Sequence, residues 1–319
     1  MASVTGVIVS SIVPIFLIVG VGLVLNEALG VDVESLNTLT LYVLTPALVV
    51  HSITLTDLET GVLLTVSVGV IAFLACAIGV GWLVGRALGK DGAVLHSFLL
   101  IAVFGNTGAL GIPLADFAFG DVGRQTAVLF AAVHGTMVFT VGLGLAAMSG
   151  TGADVGDLKR VFRYPLLYAT LVAVLVRVLG LVPPADAAIM ETLGLVGESA
   201  IPIMLVILGI QLSETEFTAA LELTAVPSLF RFVASPLIGI GVAVALGLHH
   251  STVAQVFVLL TAMPVAVAPV IFAVEFAPDT EVGGVSLPEL VSANVLVTTL
   301  LSLPVLTVVV TLLKADVLI

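Results

Sequence analysis

Between positions 94 and 119 the chain is apolar for the length of a membrane span, yet the middle of that run cannot be an ordinary helix. Phe104-Gly105-Asn106-Thr107-Gly108-Ala109-Leu110-Gly111-Ile112-Pro113 gathers three glycines, a proline, an amide and a hydroxyl into ten residues. Proline removes a backbone donor and clashes with the preceding turn, and glycine costs a helix about 1 kcal/mol against alanine. Hydrocarbon cannot satisfy freed backbone groups, so such an interruption must be buried in protein or line a wet cavity. Tight packing through small residues would explain a lone proline kink. Asn106 and Thr107 beside the break favour a binding role, because secondary transporters place substrates and ions at broken helices near the midplane.

The rest of the chain supplies the membrane setting. Of 319 residues 60% are hydrophobic and only 9% charged, with a mean hydropathy of +1.31. Soluble domains carry about a quarter charged residues, so this is a polytopic membrane protein. Ten apolar runs are expected, at residues 4–29, 36–53, 61–88, 94–119, 123–148, 164–181, 187–212, 221–246, 253–276 and 290–313. Each is close to the ~20 residues that cross a bilayer. The first has no Lys or Arg ahead of it and is read as a retained helix rather than a secretory signal. The net charge of −12 argues against nucleic acid as a partner and against a polybasic lipid-binding surface. Cys76 is the single cysteine, which excludes an internal disulfide and a cysteine-based metal site.

Positive charge sets the expected orientation. With the N-terminus outside, inner loops hold Arg86, Lys90, Lys159, Arg160 and Arg163, and outer segments hold Arg124, Arg177 and Lys314. Both termini are therefore expected outside a cell membrane. Proline spacing suggests a repeat: Pro14 and Pro165, Pro46 and Pro202, and Pro113 and Pro264 are 151, 156 and 151 residues apart, in runs one and six, two and seven, and four and nine. Five spans per half is odd, so residues 1–150 and 151–319 would form two inverted five-helix repeats. The second interruption, Thr261-Ala262-Met263-Pro264-Val265-Ala266-Val267-Ala268-Pro269, carries no strongly polar side chain and would contribute backbone groups. Broken half-helices that cross there would offer N-terminal N–H groups to an anion.

Gly105-Asn106-Thr107-Gly108-x-x-Gly111-x-Pro113, followed by Leu114 and Phe119-Gly120 and taken with Met263-Pro264, resembles the auxin efflux carrier family, the PIN-like and bile-acid-symporter-like group of transporters. Thr45-Pro46-Ala47 resembles that family's second helix and Leu208-Gly209-Ile210-Gln211-Leu212 its seventh. Ser235-Pro236-Leu237 and Thr298-Thr299-Leu300-Leu301-Ser302 are similar to parts of the eighth and tenth. The resemblance covers essentially the whole chain and is to the compact prokaryotic members, without the long cytosolic loop of the plant carriers. It implies an all-α fold with a scaffold of helices 1, 2, 6 and 7, and a moving domain of helices 3–5 and 8–10. Helices 4 and 9 would cross at the site, and a homodimer through the scaffold helices is left open.

The expected substrate contacts are Asn106, Thr107, Gly108, Pro113, Pro264, Val265 and Asn294. Asn106 leads because its amide can donate to a carboxylate without a change of protonation, while capping the broken helix is compatible with that role. Glu198, His134 and Arg231 are candidates for coupling or charge balance, since ionisable groups inside spans are costly. Each has a plainer reading: a carboxylate in a wet vestibule, a packing histidine, and an arginine snorkelling to the interface. No His-Glu-x-x-His, Gly-x-Ser-x-Gly or Walker lysine loop is present, and neither an enzyme nor a cofactor or metal is expected. The function expected is transport of a small organic anion. A sodium-coupled carrier resembling the bile-acid symporters and a non-transporting anion sensor are the alternatives.

Overall fold

A computed structural model describes residue 6 and residues 12–56, 58–149, 165–214, 221–248, 251–277 and 279–319. The basic cluster Lys159–Arg163 and the boundary at 150/151 lie outside the described residues. The helices are α1 (Val13–Leu29), α2 (Val33–Thr54), α3 (Thr60–Ala87), α4a (Gly92–Val103), α4b (107–119) and α5 (121–149). After them come α6 (Pro165–Val178), α7 (Ala188–Ser213), α8 (Leu223–Ala245), α9a (Thr252–Thr261), α9b (Ala268–Phe276) and α10 (Leu287–Lys314). The protein is an all-helical membrane protein with six to ten candidate spans. Among the described residues six helical stretches are long and apolar enough to cross a bilayer, while α1, α4a, α6 and α9a are shorter apolar helices.

Local chemistry sets the helix ends. Asp32 accepts from the N–H groups of Glu34 and Ser35 to start α2, and Ser251 and Ser286 do the same for α9a and α10. Gly120, at φ 66° and ψ −154°, takes a conformation closed to other residues and parts α4b from α5. One element was not expected from an all-α reading: between α9b and α10 runs a two-stranded hairpin, β1 (Glu281–Val282) and β2 (Val285–Ser286). Its turn is Gly283-Gly284, both with positive φ, the conformation that two-residue hairpin loops demand.

Packing divides by partner. α1 lies along α7, and α2 packs on α6 and α7. The α1–α7 contact is backbone to backbone: a Cβ on Gly22 would overlap the Val206 carbonyl, and one on Gly209 would overlap the Val19 carbonyl. Elsewhere α9a packs against the α4b–α5 stretch, α3 against α4a, and α8 against α9a. Among the described residues π-helical turns interrupt or open four of the helices, at Thr40–Leu44, Thr107–Gly111, Val138–Gly142 and Phe230–Ala234. Such turns concentrate at functional sites.

The two interrupted runs cross, and they meet through their backbones. Helix stops at Val103 and resumes at Thr107, and Phe104, Gly105 and Asn106 are not helical. Gly105 pairs with Val265 in an antiparallel bridge. The Asn106 N–H donates to Pro264 O at 2.7 Å, and the Ala266 N–H donates to Phe104 O at 3.0 Å. Pro264 lies in the second break itself, whereas Pro113 lies in the first α-helical turn after the π turn of α4b, where its missing N–H is tolerated.

Candidate functional site

The breaks differ from expectation in how several of their backbone donors are used. The Asn106 and Ala266 N–H groups are spent on carbonyls across the crossing and that of Val265 on Thr298, rather than held free for a ligand. The Val265 N–H donates to Thr298 Oγ1 at 3.0 Å, and that hydroxyl donates to Asn294 O at 2.6 Å. Thr298 thus anchors the crossing to α10. Thr298→Val should lower stability by about 1–3 kcal/mol, because it orphans a buried N–H. Thr299 Oγ1, one residue on, is buried with no partner, so Thr299→Val should leave the melting temperature unchanged or raise it. Melting curves of the purified variants check both.

Beside the crossing is a cavity of about 460 Å³. Gly105, Asn106, Thr107 and Gly108 line it, with Ala266, Val267 and Ala268 from the second break. Much of the wall is apolar, from Ile112, Val128, Val138, Phe139, Ile207 and Ile271. The cavity extends to Glu34 and Asn37 at the start of α2. Three of the four π-helical turns contribute lining residues: Thr40–Tyr42, Thr107–Ala109 and Val138–Phe139.

Asn106 has its two ends in different roles. Its Oδ1 accepts from the Ala109 N–H at 3.1 Å, which caps α4b. That bond fixes which way the amide points. Its Nδ2 is buried with no hydrogen-bond partner among the described residues, and the residue is only 6% exposed. A buried NH₂ without an acceptor is costly unless something else supplies one. The next residue, Thr107, places its Oγ1 3.2 Å from His134 Nδ1, and His134 also lines the cavity. Phe104 and Phe130 hold the imidazole ring, each with its centroid 6.0 Å away. His134 is thus a member of the site as well as a packed residue.

Not every residue expected to meet the substrate lines this cavity. Pro113, Pro264, Val265 and Asn294 do not line the cavity. Pro264 and Val265 shape the crossing through their backbone, and Asn294 is fully buried with its Nδ2 donating to Leu290 O. Glu198, part-way along α7, does not line the cavity; it is half exposed, and its carboxylate lies 3.4 Å from Arg124. Arg124 also pairs with Asp121 at 2.9 Å and faces Asp116 at 3.9 Å. This ion cluster joins α7 to α5, a link that sequence spacing did not suggest.

Arg231 overturns the snorkelling reading. It is 1% exposed and sits behind the crossing. Its Nε and Nη2 donate to Met263 O at 2.9 and 2.6 Å, Nη1 donates to Val103 O at 2.8 Å, and Nη2 lies 3.2 Å from Thr261 O. A Cβ on Gly105 would overlap the guanidinium, which is why the break needs glycine at that position. The one sequence signal was an arginine within an apolar run.

Comparison with known proteins agrees with this architecture. The family profile described as membrane transport protein matches residues 7–310, nearly the whole chain. The chain belongs to the auxin efflux carrier family. Among its relatives is an uncharacterized transporter of Methanothermobacter thermautotrophicus, 28% identical over 302 residues, spanning 92% of this chain and 94% of that one. An uncharacterized transporter of Methanocaldococcus jannaschii is 26% identical over 207 residues, 63% of this chain and 67% of the relative. Within the auxin efflux carrier family, then, this chain is a membrane transport protein whose broken helices line a cavity at which, among the described residues, the Asn106 amide has an unsatisfied donor.

Proposed function

We propose that this carrier moves a small organic anion, a carboxylate, across the cell membrane by alternating access of the elevator type. One observation carries the reading: Asn106 turns an otherwise unpaired NH₂ toward a cavity at the crossing. An amide donor suits a carboxylate oxygen and has nothing to offer a cation. The N-terminal ends of α4b and α9b, both at the cavity, add partial positive charge. The volume, about 460 Å³, lies within the range of small-molecule sites.

In this reading α1, α2, α6 and α7 form the scaffold, and α3–α5 with α8–α10 form the moving domain, as two inverted repeats. The packing of α1 on α7 and of α2 on α6 and α7 supports the grouping. Both termini lie outside, so the cavity opens toward the cytoplasm on the side of Arg86 and Lys90. The Arg124–Glu198 pair then closes the outer side, between moving domain and scaffold. His134, beside Thr107, is the residue placed to link a proton to the substrate.

Counterflow in proteoliposomes tests the proposal. Vesicles loaded with an unlabelled carboxylate should accumulate the same labelled carboxylate from outside, in a screen spanning monocarboxylates, dicarboxylates and indole acids. Uptake should respond to a pH gradient and be indifferent to replacing sodium by potassium at constant ionic strength. Binding without counterflow would make the protein a sensor, and a strict sodium requirement would make it a symporter of the other kind.

A further inference from the structure

Two half-helices, α4a and α9a, end at the crossing, and a helix C-terminus carries roughly half a negative charge on its unpaired carbonyls. Those carbonyls converge. Ala102 and Val103 come from the end of α4a, and Thr261 and Met263 from the end and just past the end of α9a. Backbone carbonyl oxygens gathered in one place are the kind of ligand that an inorganic cation takes. Here that place is filled from within, since all five donor contacts of the Arg231 side chain to these oxygens fall between 2.6 and 3.4 Å. Among the described residues no carboxylate pairs with Arg231.

We propose that Arg231 is a tethered cation: it takes the place of a soluble ion in the carbonyl cage, so the crossing assembles without inorganic cation and presents one net positive charge to the substrate. The charge balance follows from the four helix ends. The C-termini of α4a and α9a contribute about one negative charge together, and the N-termini of α4b and α9b about one positive charge. Those cancel. The guanidinium leaves the crossing positive by one, behind Gly105 and next to the cavity that Gly105 and Asn106 line. Low dielectric strengthens that field. The consequence at the cavity builds on the anion site proposed above and narrows it to a substrate of single negative charge.

The cage itself can be tested without any substrate, so its failure is separable from failure of the anion reading. Purified wild type should melt at one temperature in sodium, potassium and choline chloride at equal ionic strength. Arg231→Gln, which loses the charge and is two atoms shorter so that the guanidinium's place is vacated, should melt lower by on the order of 10 °C. It should recover part of that loss in millimolar methylguanidinium or sodium but not in choline. Arg231→Lys should lie between the two and stay indifferent to the cation. A guanidinium acting only as a neutral crosslink would give no cation-specific recovery. The proposal is overturned if the Lys and Gln variants melt alike, if the Gln variant ignores cation identity, or if wild type itself needs sodium. Failure of both variants to fold overturns it as well, because charge at that position would then not suffice.

Discussion

Asn106→Asp should melt like wild type and lose the anion, whereas Asn106→Ala should melt lower and lose somewhat less affinity. This crossed pattern follows from the divided role of the amide. Oδ1 caps the Ala109 N–H, and an aspartate oxygen can do the same. Nδ2 is the unpaired donor, and aspartate replaces it with a second oxygen. Losing a hydrogen bond to a charged ligand costs about 1.5–3 kcal/mol, or roughly ten- to over a hundredfold in affinity. The carboxylate adds repulsion between like charges, which low pH should relieve by protonating it. Alanine carries no such repulsion but removes the cap, worth about 0.5–2 kcal/mol. Binding isotherms with the first carboxylate that shows counterflow, paired with melting curves, resolve the two axes. Equal affinity in all three proteins at unchanged stability would remove Asn106 from the site.

The largest effect on folding is expected where α1 meets α7. Gly22→Val and Gly209→Val should each prevent recovery of a monodisperse protein, since either side chain would be driven into the facing backbone. Strain of that kind exceeds ordinary overpacking, which costs about 1–3 kcal/mol, because neither carbonyl can move without bending its helix. Membrane helices lack a hydrophobic drive toward each other and rely on such close approach. Gly20→Val, two residues earlier on the same helix, has nothing within 4 Å of its new Cβ and should be tolerated. Size-exclusion profiles in detergent distinguish the three. A well-behaved Gly22→Val protein would mean that the α1–α7 contact is dispensable.

The sequence by itself determined the membrane environment, the ten apolar segments and the two interruptions. Hydropathy is a local property, and glycine and proline act within one or two turns of where they stand. Asn106 could be singled out for the same reason: an amide beside a helix break in an apolar run has few outlets. Even the family could be read, because the motif from Gly105 to Pro113 is continuous. Tertiary structure decided what those residues meet. Nothing local says that Arg231 reaches Ala102, 129 residues away, or that Thr298 takes the N–H of Val265. Pro113 and Pro264 drew attention by composition, yet the bridge joins Gly105 to Val265, because two strands pair through N–H and C=O groups that proline only half supplies. Glu198 and Arg231 look alike in the sequence as single charges in apolar runs. Packing separates them: one is half exposed beside an opposite charge, while the other is buried where two helices run out of hydrogen-bond donors for their last carbonyls.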